Sequence, residues 1–174
     1  MSKSILIHEN GGPEKMQLEE VGVGKPGPGQ VKLRHTAIGL NFIDVYTRSG
    51  LYQTPLPNAV GREAAGVIVE VGPRVKGFKK GDRVAYCGVL GAYCQERLMG
   101  VDQLVKVPAG VSDEQAAAIM LKGMTTEYLV DRTAKAWLKK GDTILFHAAA
   151  GGVGLLFGQW AKARGYKVIG TTSS

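Results

Sequence analysis

The run "ILFHAAAGGVGLLFGQWAKARGYKVIGTTSS", Ile144 to Ser174, limits what this chain can fold into more than any other stretch. Thr143 to Phe146 read as a short buried strand, and a loop of glycine and alanine follows. Val153, Leu156, Phe157 and Trp160 then recur at helical spacing. Gly165 falls where a helix C-cap is expected, and "YKVIG" supplies a second, parallel strand. A glycine-rich turn between a strand and a helix serves a tight turn, close approach of an anion to the backbone, and close helix–strand packing.

In Ala149-Ala150-Gly151-Gly152-Val153-Gly154, Ala149 replaces the first glycine of the G-x-G-x-x-G dinucleotide pattern. The flanking strand and helix therefore carry the assignment, because they are the context that the motif requires. Gly151, Gly152 and Val153 are expected to meet a pyrophosphate through backbone groups at a helix N-terminus. The alternative is a helix start packed tightly on its strand with no ligand. An acidic residue usually ends the second strand of an NAD site, where it binds ribose hydroxyls. Here Ile169-Gly170 run into Thr171-Thr172-Ser173-Ser174, which points to NADPH, whose 2′-phosphate a carboxylate would repel.

Residues 1–110 read as β-rich. Ile5 to Ile7, Met16 to Val21, Val31 to Leu40, Gly66 to Gly72 and Asp82 to Tyr86 are expected strands, with Val31 and Leu33 facing away from Lys32 and Arg34. Pro26-Gly27-Pro28-Gly29 is a turn that neither a helix nor a central strand accepts. Short strands at this spacing predict a small barrel or sandwich. Residues 111–174 change character. Ser112 and Gln115 fit a capping box ahead of Ala116 to Ala118, and a second helix is expected from Met124 to Ala136. The fold class is thus a β-rich domain followed by the opening βαβ of an α/β domain.

No apolar run approaches the roughly 20 residues that span a bilayer. No secretion signal opens the chain. With two cysteines, Cys87 and Cys94, a cytoplasmic protein is the simplest reading. The net charge of +7 is scattered, with no concentrated basic stripe among aromatics, so nucleic acid is not the expected partner.

"GLNFIDVYTRSGLY", "VGREAAGVIVEVG" and "FHAAAGGVG" occur in that order, and together they resemble the zinc-independent quinone oxidoreductases of the zeta-crystallin type. These belong to the medium-chain dehydrogenase/reductase superfamily. The resemblance implies a GroES-like β domain followed by the start of a Rossmann domain, and a chain that is the front half of a longer protein. It implies NADPH as cofactor, a quinone or enone as acceptor, and a homodimer in the full-length protein. A non-catalytic GroES-like binding module is the reading from a different class.

Carried over by the resemblance, Asn41, Phe42, Ile43, Asp44, Val45 and Tyr46 line the cofactor, with Asn41, Tyr46 and Tyr52 as catalytic candidates. Thr125 and Tyr128 approach the nicotinamide, Lys122 is a candidate neighbour of the phosphates, and Ser173 and Ser174 face the 2′-phosphate. The superfamily's zinc enzymes have Cys where this chain has Asn41, and Gly-His-Glu where it has Gly61-Arg62-Glu63. His8, His35 and His147 show no ligand spacing, while a catalytic zinc takes about three protein ligands. No metal is expected: elemental analysis of purified protein should find no stoichiometric zinc, and a one-to-one content would refute this.

Overall fold

The structure, a computed structural model, describes residues 1–173. Ser174, one of the expected 2′-phosphate contacts, lies outside the described residues. The chain divides into two compact units, Met1–Met120 and Leu121–Ser174, each with a core of its own.

The first unit contains β1 (Ser2–Ile7), β2 (Gln17–Val21), β3 (Gln30–Gly39), α1 (Phe42–Ser49) and β4 (Asn58–Ala59). β5 (Glu63–Val71), β6 (Arg83–Cys87), β7 (Glu96–Gly100) and β8 (Val105–Lys106) follow. All its pairings are antiparallel and form two sheets, ordered β2-β1-β4 and β7-β3-β5-β6-β8. The expected strands are all present, because short apolar runs bounded by Gly and Pro leave the backbone few other ways to pair. Val31 and Leu33 are fully buried with Ala64, Ile68, Val84 and Tyr86. On the opposite face Arg34 is exposed, and Lys32 pairs with Glu70 at 2.9 Å.

The β3–β5 ladder is the longest pairing, running from Val31 opposite Val71 to Gly39 opposite Glu63. It shifts register between Lys32 and Leu33 and again between His35 and Ala37. Gly66 lies beside the second shift, where a β-carbon would collide with the Arg34 carbonyl. Glycine is what lets the two backbones close there.

α2 (Asp113–Glu127) begins with the expected capping box. The Gln115 N–H donates to Ser112 Oγ at 3.1 Å, and the Ser112 N–H donates to Gln115 Oε1 at 2.9 Å. Ala116, Ala117 and Met120 pack with Val107 and Val111 on Ala65 and Ala85. That packing carries the first unit on to Met120, past the change in sequence character at Gly110.

The separate helix expected from Met124 to Ala136 does not occur. α2 instead continues into a π-helical turn, Tyr128–Ala134, and a short α3, Lys135–Trp137. No proline interrupts this stretch, so the helical hydrogen-bond ladder carries on. Within the turn, Asp131 accepts from Trp160 Nε1 at 3.1 Å and from two Arg164 nitrogens at 2.7 and 2.6 Å.

The second unit is completed by β9 (Thr143–His147), α4 (Gly152–Ala163) and β10 (Lys167–Thr171). The two strands pair in parallel. Val130, Phe157 and Ala161 are buried among Ile144, Phe146, Trp160 and Val168, with Phe146 stacked on Phe157 at 4.2 Å between centroids. Gly165, at φ +89°, ends α4 one residue after its C-cap. Its N–H reaches the Lys162 carbonyl while the Tyr166 N–H reaches that of Ala161, which is a Schellman ending.

Gly154 is buried in the first turn of α4, and a β-carbon there would meet the Ala149 main chain. Alanine gains about 1 kcal/mol of helix propensity over glycine. A clash with backbone costs about 1–3 kcal/mol, because the main chain cannot swing away. Gly154→Ala is therefore expected to destabilise the protein by about 1 kcal/mol in urea unfolding. A gain in stability would show that the loop yields.

Candidate active site

Two residues, Leu40 and Asn41, separate the end of β3 from the start of α1. Asn41 is its N-cap, and Asp44, at the third helical position, accepts the Asn41 N–H at 3.1 Å. Gly50, at φ +84°, closes the helix in the left-handed conformation. The helix is fastened from below: Asn41 Nδ2 donates to Glu63 Oε1 at 2.8 Å, and the Tyr93 hydroxyl donates to Asp44 Oδ2 at 2.9 Å. Glu63 is fully buried in β5, where a β-carbon on the facing Gly39 would collide with its carboxylate.

Burial pushes the Asp44 carboxyl above the usual range, while bonds from Tyr93 and Asn41 and the charge of Arg62 pull it back. Burial, followed by the bond to Asp44, raises the Tyr93 hydroxyl. Arg62, standing where zinc relatives carry histidine, donates from Nη1 to the Gly88 carbonyl at 3.2 Å. Among the described residues no group of three or more His, Cys, Asp or Glu is arranged to hold a metal ion.

The outer side of α1 is aromatic. Phe42 meets Tyr46 edge-on at 5.1 Å, and Tyr46 lies 5.4 Å from Tyr52, between ring centroids. The Tyr52 N–H also donates to the Tyr46 carbonyl at 3.0 Å. Phe42 is 70% exposed and Tyr52 49%, a large apolar display beside two phenols. Of the candidates on this segment, Phe42 and Tyr52 are exposed, and Tyr46, half-buried, is in ring contact with both. Ile43 and Val45 are half-buried, Val45 against a cavity of about 110 Å³ shared with Asn41, Asp44, Arg48 and Tyr93. Asp44 is turned inward.

In the second unit, the N-cap of α4 is Gly151, which has no side-chain cap, and both Gly151 and Gly152 are exposed. The first-turn N–H groups of a helix lack intrahelical acceptors and attract anions. The Lys122 side chain lies beside this turn, its Cδ and Cε 3.0 Å from where a Gly152 β-carbon would stand. An uncapped helix start, bare of side chains and flanked by a lysine stem, fits a pyrophosphate. Val153 is half-buried behind the loop, and Ser173 is exposed beyond β10. Thr125 is less available: its hydroxyl donates to the Leu121 carbonyl at 2.8 Å within its own helix. Tyr128, at 48% exposure, is open.

Reading the sequence missed Glu63 and Tyr93. The Asn41–Asp44 spacing signals a helix start, but only the β3–β5 register sets Glu63 beneath it. His35, which shows no ligand spacing in the sequence, is packed against its neighbours. Its Nδ1 lies 2.8 Å from the Cys94 carbonyl and its Nε2 3.1 Å from the Tyr86 hydroxyl, which also accepts from Arg97.

The fold is thus a β-rich unit of two antiparallel sheets followed by a βαβ unit whose glycine loop opens an uncapped helix. The chain belongs to the alcohol dehydrogenase GroES-like domain family, which it matches over residues 27–142. Over its whole length it is 53% identical to a quinone oxidoreductase of Pseudomonas aeruginosa and 50% identical to a 2-haloacrylate reductase of a Burkholderia species, covering 54% of each. It also superposes on the crystal structure of Escherichia coli quinone oxidoreductase complexed with NADPH, with a TM-score of 0.94 at 47% identity. That match covers 99% of this chain and 53% of the other. The resemblance carried by the three motifs is thereby borne out, and the chain spans about half the length of the curated relatives it matches.

Burial, foremost, lowers the His35 pKa to about 4 from an ordinary 6.5. Between those values the unfolded chain binds a proton at His35 that the folded chain does not, so stability falls as pH falls through this window. The component is on the order of 3 kcal/mol. His35→Asn is expected to flatten urea midpoints measured between about pH 6.5 and 4; an unchanged slope would exclude His35 as a source.

Proposed function

We propose that this chain supplies the substrate-side domain and the first βαβ unit of a metal-independent, NADPH-dependent quinone oxidoreductase. The single observation that carries the proposal is the uncapped, exposed Gly151–Gly152 start of α4 beside Lys122, in a chain 53% identical throughout to a quinone oxidoreductase. Gly152 and Val153 would hold the pyrophosphate by backbone N–H groups, with Gly151, whose own N–H donates to the Ala148 carbonyl at 2.9 Å, shaping the turn against it and the Lys122 ammonium adding charge. Ser173 and Ser174, which follow a stretch of sequence with no acid after Asp142, suit a 2′-phosphate. NADPH, when bound, supplies a hydride to an acceptor that is electrophilic by conjugation.

The chain's own residues orient that acceptor and keep water from it. Phe42 provides an apolar wall, and the Tyr46 and Tyr52 hydroxyls, with no hydrogen-bond partner among the described residues, donate to the acceptor oxygen as negative charge develops there. Asn41 lies at the root of this segment, and Thr125 and Tyr128 serve the nicotinamide side. A zinc ion has no part in the proposal, because Asn41 and Arg62 occupy the positions where zinc relatives carry ligands. The 50% identity to a 2-haloacrylate reductase favours activated alkenes as a second acceptor class. The protein is proposed to act in the cytoplasm as a homodimer. No helix among the described residues is long and apolar enough to cross a membrane.

Intact protein should consume NADPH when a benzoquinone is added, and NADH far less well. Tyr46→Phe is expected to lower kcat/KM for the quinone by about tenfold, the worth of one hydrogen bond to developing charge, and to lower it more than NADPH affinity. NADPH binding without turnover of any quinone or enone would favour the non-catalytic binding module.

A further inference from the structure

We infer that Glu63 is a positioning residue, which aims the aromatic face of α1 from beneath through Asn41. This rests on the reading of Phe42, Tyr46 and Tyr52 as the acceptor's surface. α1 has eight residues, fewer than an isolated helix needs to persist in water, so its direction comes from its attachments. Those attachments converge on its first turn. Asn41, the N-cap, gives its side-chain N–H to Glu63 and its main-chain N–H to Asp44, and Asp44 is bound in turn by Tyr93.

Glu63 itself has no freedom. It is fully buried on the central strand of the larger sheet, packed where only a glycine, Gly39, can face it. A hydrogen bond to a buried carboxylate is among the stronger ones in a protein, and losing one partner leaves a buried group unsatisfied. Phe42 is the next residue after this anchor and Tyr46 lies one turn further on, so a tilt at Asn41 moves both rings. Tyr52 is carried along by its N–H bond to the Tyr46 carbonyl. The sheet thus sets the spacing of three aromatic rings from the first turn of α1, with the Asn41–Glu63 bond at its root.

Reversing the polarity of the bond tests this in the intact protein. Asn41→Asp sets two acceptors against each other. Asn41→Asp combined with Glu63→Gln restores a donor and an acceptor at unchanged net charge. NMR shifts of the Phe42, Tyr46 and Tyr52 rings, without ligand, report the stack directly. Asn41→Asp is expected to disperse them and to lower kcat/KM for a benzoquinone by at least about tenfold. The double variant should return the ring shifts to wild type and kcat/KM to within about threefold.

If Asn41→Asp does not fold, Asn41→Ser serves in its place. It keeps a good N-cap but cannot reach Glu63, and it should disperse the same ring signals. Unchanged ring shifts in a folded single variant, or a double variant no better than Asn41→Asp, would overturn the inference. Absence of quinone turnover by wild-type protein would instead overturn the functional reading, and the ring shifts would still decide the role of Glu63.

Discussion

The antiparallel pairing of β3 with β5 is the constraint on which the first unit depends. It is the longest ladder in the molecule and forms the centre of the larger sheet. Its two register shifts require close backbone contact at Gly66, and its far end sets Gly39 against Glu63. That end decides where the chain can leave the sheet and begin α1. A buried carboxylate there is costly unless hydrogen-bonded. Asn41, which donates to it, is also the residue that caps the helix. Strand pairing, burial of Glu63 and placement of the aromatic strip are therefore one linked problem with one solution.

The second unit solves a different problem, bringing a helix close enough to its strand for the loop between them to stay open. Gly154 allows this by having no side chain against Ala149, and Phe157 on Phe146 fills the space behind. The bond set of Asp131 with Trp160 and Arg164 fixes the other end of α4 to the π-helical turn. With both ends held, the helix start at Gly151 needs no side-chain cap and remains accessible to an anion.

The elements were largely legible from the sequence because they rest on local chemistry. Alternation at Val31 and Leu33, the Ser112–Gln115 box and the Gly165 ending each depend on a few neighbouring residues. The break expected before Met124 failed for the same reason. The absence of proline lets the helix continue, while the π-helical turn within it carries Asp131, whose partners Trp160 and Arg164 lie 29 and 33 residues further along the chain. The partner of Asp44 was not legible either: Tyr93, which donates to its carboxylate, stands 49 residues away.

The sequence by itself determined the order of elements, the glycine loop and the family, since periodicity, caps and motif spacing are properties of contiguous residues. Tertiary structure alone decided which side chains meet. It buried Glu63 under Gly39, tied it to Asn41, and gathered Phe42, Tyr46 and Tyr52 into one aromatic strip. The physical reason is register: a pairing offset between distant strands is fixed by how whole faces pack, and no short stretch of sequence contains it.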